Sequence, residues 1–472
     1  MLFNSTEFVL LVCLTFVPYY LLPSKRFQVE ILILASLVFY AYSNIWLLIL
    51  LVFSAYINAF SSLKISNHVE LKIKRFWAIA GVITNLSILG FFKYAGLISF
   101  TILGNTGSHG EFAHYIALIP LPVGISFYTF QGISLLMDTW SGNVQSDREQ
   151  SQLRHFKHIT FYICFFPQLV AGPIVKSHEF LPQIKDKRIS QINWERCFKN
   201  LLTGYFLKIF VADNLKELTA WIEFPYFLGK SSVELTFMLF AFSMQIFADF
   251  AGYSLIAIGI AGLFGYKLPT NFNFPYISRS FSEFWRRWHI SLSTWLRDYL
   301  YYPLGGNRRG RLRTYFNLFI VMFLGGLWHG AAWSFAVWGT AHGLFLAIER
   351  MITRKKHESA KSSQNIITIL KMFFVFSMVT FAWLLFKLPD FTHVISYFTA
   401  IYSNVGIPIS IPNLWYILFF SAAVIAYHFK AYLQESRQIF IPQKIQILIF
   451  SAMLFLLIND PGSQGDFIYF QF

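Results

Sequence analysis

The sequence predicts an all-α integral membrane protein that crosses the bilayer many times, on three observations. Of its 472 residues 56% are hydrophobic and only 13% charged, and 55 Phe, 24 Tyr and 13 Trp bring the aromatic share to 19%, far from the usage of soluble domains. Apolar windows of spanning length recur along the whole chain. Basic residues gather in the intervals between them.

The windows cover 7–22, 29–42, 45–61, 76–92, 115–137, 233–264, 316–349, 366–387, 412–428 and 445–459. A helix needs about 20 apolar residues to cross the hydrocarbon core. Several windows are shorter or hold Gly and Pro, so roughly ten to twelve crossings are expected, with re-entrant and interfacial helices besides. The first window lacks a basic n-region and a small-x-small cleavage site and is read as a retained span.

Orientation follows from the loops. The stretches at Lys25–Arg26, Lys64–Arg75, Arg148–Lys157, Lys176–Lys199, Arg308–Arg313, Arg350–Lys361 and Lys430–Lys444 are basic, whereas 104–114, 388–410 and 459–472 hold no Lys or Arg. The positive-inside rule puts the first set in the cytoplasm and both termini on the outer side. The alternation closes if 156–171 dips into the membrane without crossing it. These separated loops account for the net charge of +15 and offer no contiguous soluble basic face, so nucleic acid is excluded as a partner. Cys13, Cys164 and Cys197 have no CxxC spacing and support neither a disulfide framework nor a thiolate metal site. With no internal repeat and only a polar patch at 354–365, within a cytoplasmic loop at about 350–365, one membrane domain over 1–472 is the simplest description.

Ser280–Gly310 is too polar to span. Projected at 100° per residue, Phe281, Phe284, Trp285, Trp288, Leu292, Trp295, Leu296 and Tyr299 share an arc of about 120°, with Glu283, Arg286, Arg287, Arg297 and Asp298 outside it. This predicts an interfacial amphipathic helix over about 280–300, with His289 at the edge of its apolar face. In LGGNRRGRLR, Gly305 and Gly310 have the spacing of a phosphate loop, but Arg311 and Leu312 stand where Lys and Ser or Thr are required. Asn307, Arg308 and Arg309 are left as topology signals or as contacts for phosphates of a cytoplasmic donor.

His329 lies in FLGGLWHGAA. The 13 residues from Phe316 to Trp328 rise about 20 Å as a helix, which carries His329 past the bilayer midpoint from the basic loop. An ionisable group at that depth is a functional-site candidate, with a packing histidine as the alternative. Gly325, Gly326 and Gly330 permit a helix break or a close approach. No second His stands at i+3 or i+4, so no metal is expected. A neutral imidazole in an apolar cavity suits a general base, and since no triad motif supplies a Ser or Cys nucleophile, the hydroxyl is expected from the substrate. Asp249, in QIFADFAGYS, is a second buried group, expected to pair with a cation or with Tyr253. His155 and His158 sit in a basic loop and are not read as metal ligands.

LPVGISFYTFQG (Leu121–Gly132), FFPQLVAGPI (Phe165–Ile174), DFAGYS (Asp249–Ser254), the run from Asn271 to Arg308, LGGLWHGAAW (Leu324–Trp333) and the terminal FIYFQF closely resemble the membrane-bound O-acyltransferase family, in its bacterial alginate O-acetyltransferase branch. The dense match covers about half of the chain, Leu121 to Arg350.

The resemblance implies helices around a central tunnel, and transfer of an acyl group, most often acetyl, from a cytoplasmic thioester such as acetyl-CoA to a hydroxyl on the outer side of the bacterial inner membrane. It implies no bound cofactor. His329 matches the family's catalytic histidine and His289 its second one. Trp285, Trp288, Arg297, Asp298, Asn307, Arg308, Arg309, Trp328 and Asp249 are the donor and tunnel candidates. In this branch acetyl passes to a periplasmic SGNH-type partner and on to a polysaccharide; related branches act on peptidoglycan or D-alanylate teichoic acids. The acceptor is accordingly a polysaccharide or partner serine hydroxyl. One departure stands out: Ala251 and Leu255 replace the Ser and Asp usual in the branch, which puts any role of those groups in doubt here. The rival expectation is a transporter or scaffold that moves an activated group without chemistry.

Overall fold

In the computed structural model, helix is the only regular secondary structure among the described residues, which are 1–22, 27–42, 44–103, 119–144, 151–170, 172–353, 366–459 and 467. Lys25–Arg26, all of 104–114, the loop at 354–365, and 459–472 apart from Asn459 and Phe467 lie outside the described residues. Contacts group the chain into two compact units, Met1–Leu201 with Ile256–Pro269, and Leu202–Leu255 with Thr270–Phe472.

In the first unit α1 (Thr6–Leu21), α2 (Gln28–Ala41) and α3 (Ile45–Asn67) reproduce the first three windows. α4 (Leu71–Leu89) runs through a π turn at Gly90–Tyr94 into α5 (Ala95–Leu103), and α6 (Ile125–Ser141) and α7 (Gln152–Cys164) follow. α6 is the core: every side chain from Ile125 to Leu136 is buried. Gly132 lets α3 approach, since a Cβ there would lie 2.6 Å from the Asn58 amide. Asn58 and Asn85 exchange side-chain hydrogen bonds at 3.1 and 2.9 Å, the kind of polar clasp that fixes helices where the surroundings are as apolar as the side chains. α7 has 13 residues and rises about 20 Å, short of the roughly 30 Å hydrocarbon core. It ends at a turn on Phe165.

The second unit opens on a segment that no window covered. α8 (Trp194–Tyr205) starts in the first unit, continues as a π helix over Phe206–Asp213, and passes into α9 (Asn214–Thr219). Lys208, Asp213 and Lys216 depress its hydropathy, yet Lys208 and Asp213 are buried. α10 (Ser232–Leu263) contributes its residues up to Leu255 here. Then come α11 (Phe281–Arg287), α12 (Ile290–Leu296), α13 (Arg311–His329), α14 (Trp333–Thr353), α15 (Ile366–Lys387), α16 (Phe391–Ser403), α17 (Ile411–Arg437) and α18 (Gln443–Asn459).

Among the described residues five helical stretches, Ile45–Asn67, Leu71–Ser99, Ser232–Leu263, Ile366–Lys387 and Ile411–Arg437, are long and apolar enough to cross a membrane, with shorter apolar helices at Thr6–Leu21, Gln28–Ala41 and Gln443–Asn459. The apolar window of α10 is 83% buried within the protein, against 28 to 39% for the other four.

Two expectations are corrected. The amphipathic segment is not one helix. α11 begins at the N-cap Ser280, whose Oγ accepts the Glu283 N–H at 3.0 Å, while Glu283 reaches back to accept the Arg279 N–H at 2.8 Å. It ends at Trp288, and His289 adopts a left-handed conformation, φ 43°, before α12 starts. A projection that assumed 100° per residue through that point placed His289 at a helix edge; it is fully buried at the break. The window 316–349 is likewise two antiparallel helices, α13 and α14, separated at Gly330–Ala332.

That hairpin closes on glycines. A Cβ on Gly326 would lie 2.2 Å from the Phe335 carbonyl oxygen, and one on Gly339 would lie 2.2 Å from the Met322 carbonyl oxygen. Backbone faces backbone, so neither side can yield. Gly339→Val is expected to drive α13 and α14 apart at a cost beyond the ~1–3 kcal/mol of ordinary overpacking, read as lost yield of monodisperse protein and a lowered unfolding temperature.

Candidate active site

Both sequence-predicted histidines stand at helix breaks, and the fold brings them together. His329 is the last residue of α13 and is 3% exposed; His289 is 0% exposed. Their ring centroids lie 6.1 Å apart. His329 packs edge-on against Trp328 at 5.1 Å, Trp338 at 5.1 Å and Phe386 at 5.5 Å. His289 meets Phe250 at 4.7 Å and Trp328 at 6.0 Å. The walls are therefore α10, α13, α14 and α15, and nearly all of them are aromatic.

The hydrogen bonds of His289 fix its tautomer. Its Nδ1 lies 3.0 Å from Asn271 Oδ1, which also accepts from the Ser291 backbone N–H at 3.3 Å and from Ser291 Oγ at 2.9 Å. A backbone N–H only donates, so this atom of Asn271 is the amide oxygen and Nδ1 of His289 carries the proton. Nε2 then holds the lone pair. The amide nitrogen of Asn271 donates to Ser254 Oγ at 3.1 Å, so the end of the DFAGYS motif supports His289 through one intermediary. Phe467, the one described residue of the terminal FIYFQF, stacks on Tyr253 at 4.4 Å.

Asn271→Ala is expected to strip an acceptor from three buried donors at once, each orphaned donor costing about 1–3 kcal/mol. Thermal unfolding should fall sharply, and Asn271→Asp, which still accepts from all three, should recover more stability than Ala.

The tryptophan candidates converge. Trp285 packs on Trp338 at 5.9 Å and on His342 at 5.2 Å. Trp288 stacks on Phe284 at 5.6 Å and reaches Trp383 at 4.9 Å. The polar candidates do not converge: Arg297, Asn307, Arg308 and Arg309 are exposed, and Arg297 pairs with its neighbour Asp298 at 2.7 Å. Asp249 lies apart from the histidines in a buried ion pair with Lys208 at 2.8 Å, and Lys208 also holds Asp213 at 2.7 Å. The cation expected beside Asp249 is Lys208.

Sequence reasoning passed over His342, one turn beyond Trp338 on α14. It is 0% exposed, its ring lies 4.8 Å from Trp338, and neither ring nitrogen has a hydrogen-bond partner among the described residues. The indole nitrogens of Trp285, Trp288 and Trp338 share that condition. Buried polar groups are ordinarily satisfied, so this cluster is hydrogen-bonding capacity that the described protein groups leave unused. The only signal was an imidazole inside an apolar run, which the brighter glycine motif around His329 obscured. Gly325 and Gly326 lie inside α13, where their N–H groups are taken by helical bonds. They form packing surfaces and do not supply oxyanion donors. Among the described residues no three His, Cys, Asp or Glu side chains are arranged to hold a metal.

Residues 139–388 match the model of MBOAT, the membrane-bound O-acyltransferase family. The chain is 39% identical over 379 residues to a peptidoglycan O-acetyltransferase of Helicobacter pylori, covering 75% of this chain and 70% of that one. It is 35% identical over 389 residues to the probable alginate O-acetylase AlgI of Pseudomonas aeruginosa, covering 82% and 72%. A teichoic acid D-alanyltransferase of Bacillus subtilis is 31% identical over 291 residues, covering 57% and 70%.

Proposed function

We propose that this chain, a multi-pass membrane enzyme that belongs to the membrane-bound O-acyltransferase family, moves acetyl from a cytoplasmic thioester such as acetyl-CoA to a hydroxyl on the outer side of a bacterial inner membrane. The observation that carries the reading is the pair of buried imidazoles in ring contact inside an aromatic chamber. His329 Nε2 or Nδ1, neutral in apolar surroundings, takes the proton of the acceptor hydroxyl as its oxygen attacks the thioester carbonyl. The carbon–sulfur bond breaks, the thiolate takes the proton back from the imidazolium, and an ester and a free thiol leave. His289, held by Asn271, orients the donor. The unsatisfied indole N–H of Trp338, beside His329, is the oxyanion donor this geometry favours. The dry aromatic wall limits hydrolysis of the thioester.

The acceptor is an envelope glycan, such as an exopolysaccharide of the alginate kind or peptidoglycan, reached directly or through the serine of a periplasmic SGNH-type partner. Both termini lie on the outer side in this reading. The test uses protein in liposomes with acetyl-labelled thioester on one side and acceptor on the other. Label is expected as a base-labile ester on the acceptor. Label that crosses but stays on its donor, or fails to cross at all, sinks the reading in favour of a carrier or scaffold.

Arg308, Arg309 and Arg311 are all exposed on the loop that the charge pattern puts in the cytoplasm. Replacing the three by Gln is expected to raise the apparent KM for the thioester with kcat little changed, most strongly at low salt. An unchanged KM leaves them as topology signals.

A further inference from the structure

A second feature of the same unit lies one residue away from each histidine's packing partners. Phe386 touches His329, and the next residue, Lys387, lines a cavity of about 390 Å³; Phe250 touches His289, and the preceding residue, Asp249, lines the same cavity. Its volume falls in the range of roughly 300–1,000 Å³ typical of small-molecule sites. Lys387 and His393 flank or enter the stretch without Lys or Arg that the charge pattern puts outside the membrane, on the side from which the acceptor comes in the reading above.

The ionic groups of this cavity cancel. It is lined by three lysines, Lys208, Lys216 and Lys387, and by three carboxylates, Asp213, Glu223 and Asp249. Lys208 lies between Asp213 and Asp249 at 2.7 and 2.8 Å, and Lys387 is 2.8 Å from Glu223. The spare negative charge of the triad is offset by Lys216. A carboxylate entering here meets a lining with no net positive charge, two of its three lysines being held in ion pairs, and burial of a charge without a partner is costly. Hydroxyl groups meet no such penalty and exchange hydrogen bonds with the rim.

The remaining lining suits a sugar ring. His393 stacks on Phe224 with centroids 4.3 Å apart and planes within 4°, and this flat aromatic pair forms part of the lining. Gln245 accepts through its amide oxygen from Thr219 Oγ1, which orients its amide nitrogen as a donor. An apolar face with a few convergent polar groups is the usual composition of a small-ligand site.

We propose that this cavity receives the acceptor as an uncharged sugar and discriminates against polyanionic glycans because its own charges balance. The inference rests on the acyl-transfer reading for the direction of the acceptor, and it separates a neutral glycan from a uronate polymer, a choice on which the two histidines are silent.

The full-length protein in nanodiscs is the material for the test, with a labelled neutral N-acetylglucosamine tetramer and a labelled mannuronate tetramer as probes in equilibrium dialysis. The neutral probe is expected to bind about tenfold or more tightly than the uronate, with little salt dependence. Glu223→Lys, at a position 57% exposed in its side chain, should leave the neutral probe unaffected and raise uronate affinity about tenfold in a salt-sensitive way. Lys216→Glu should lower uronate affinity further. Equal binding of both probes to the unaltered protein, binding of neither, binding only of a serine-containing peptide, or a Glu223→Lys protein with unchanged uronate affinity each overturns the proposal. His329→Ala separates the two readings, because it should bind the neutral probe normally while failing to transfer acetyl. Transfer intact with no binding removes the cavity's role and leaves the base in place.

Discussion

His329→Ala is expected to lower acyl transfer by about 10² to 10⁴-fold, the usual contribution of a positioned general base, with the helices intact. Its ring sits at the C-terminal end of α13, where the chain turns at Gly330, so truncation removes no helical hydrogen bond and leaves a void walled by Trp328, Trp338 and Phe386. The loss should fall mainly on kcat, because the proton is accepted only as the hydroxyl attacks. A variant that elutes and melts like the parent yet transfers at the parental rate would exclude His329 as the base. His329→Gln refines the result, since its amide is close to the imidazole in reach and hydrogen bonding but cannot take the proton at neutral pH.

Lys208→Met is expected to have the largest effect on stability, about 3–5 kcal/mol, the cost of leaving buried charge without its partner. Lys208 and the carboxylates of Asp213 and Asp249 are each 5% exposed or less in their side chains, and the lysine is shared by both. With it gone, two carboxylates face each other in a low-dielectric setting and repel. The triple variant Lys208→Met, Asp213→Asn, Asp249→Asn removes all the charge together and should recover most of the lost stability. Should Lys208→Met melt like the parent, the triad adds no net stability and its upkeep belongs to function alone.

The sequence carried the architecture well where it speaks through hydropathy. α15 matches its window residue for residue, and α1 to α3 lie close to theirs. It also marked His329 as a polar group inside an apolar run, and the structure buries that side chain to 3% exposure. It failed at three places for distinct reasons. The break at His289 depends on a left-handed residue that no periodicity announces, so a helical projection ran straight through it. The helical run from Trp194 to Thr219 escaped because Lys208 and Asp213 lower its hydropathy, although each is neutralised by a partner, and Asp249 in that triad is distant in sequence. The meeting of His289 with His329, and of both with the aromatic wall of Trp338 and Phe386, is a tertiary fact.

One wall of the chamber also faces outward. α15 supplies Trp383 and Phe386 to the aromatic cluster, yet only 39% of its apolar window is buried, while α10 is wrapped by protein over 83% of its own. α15 thus turns a buried face to the chamber, with Trp383 1% and Phe386 0% exposed, and leaves most of its apolar window unburied. If the donor is a thioester, as proposed above, a detergent that loosens this panel is expected to admit water to it. Hydrolysis should then rise at the expense of transfer well before any helix melts.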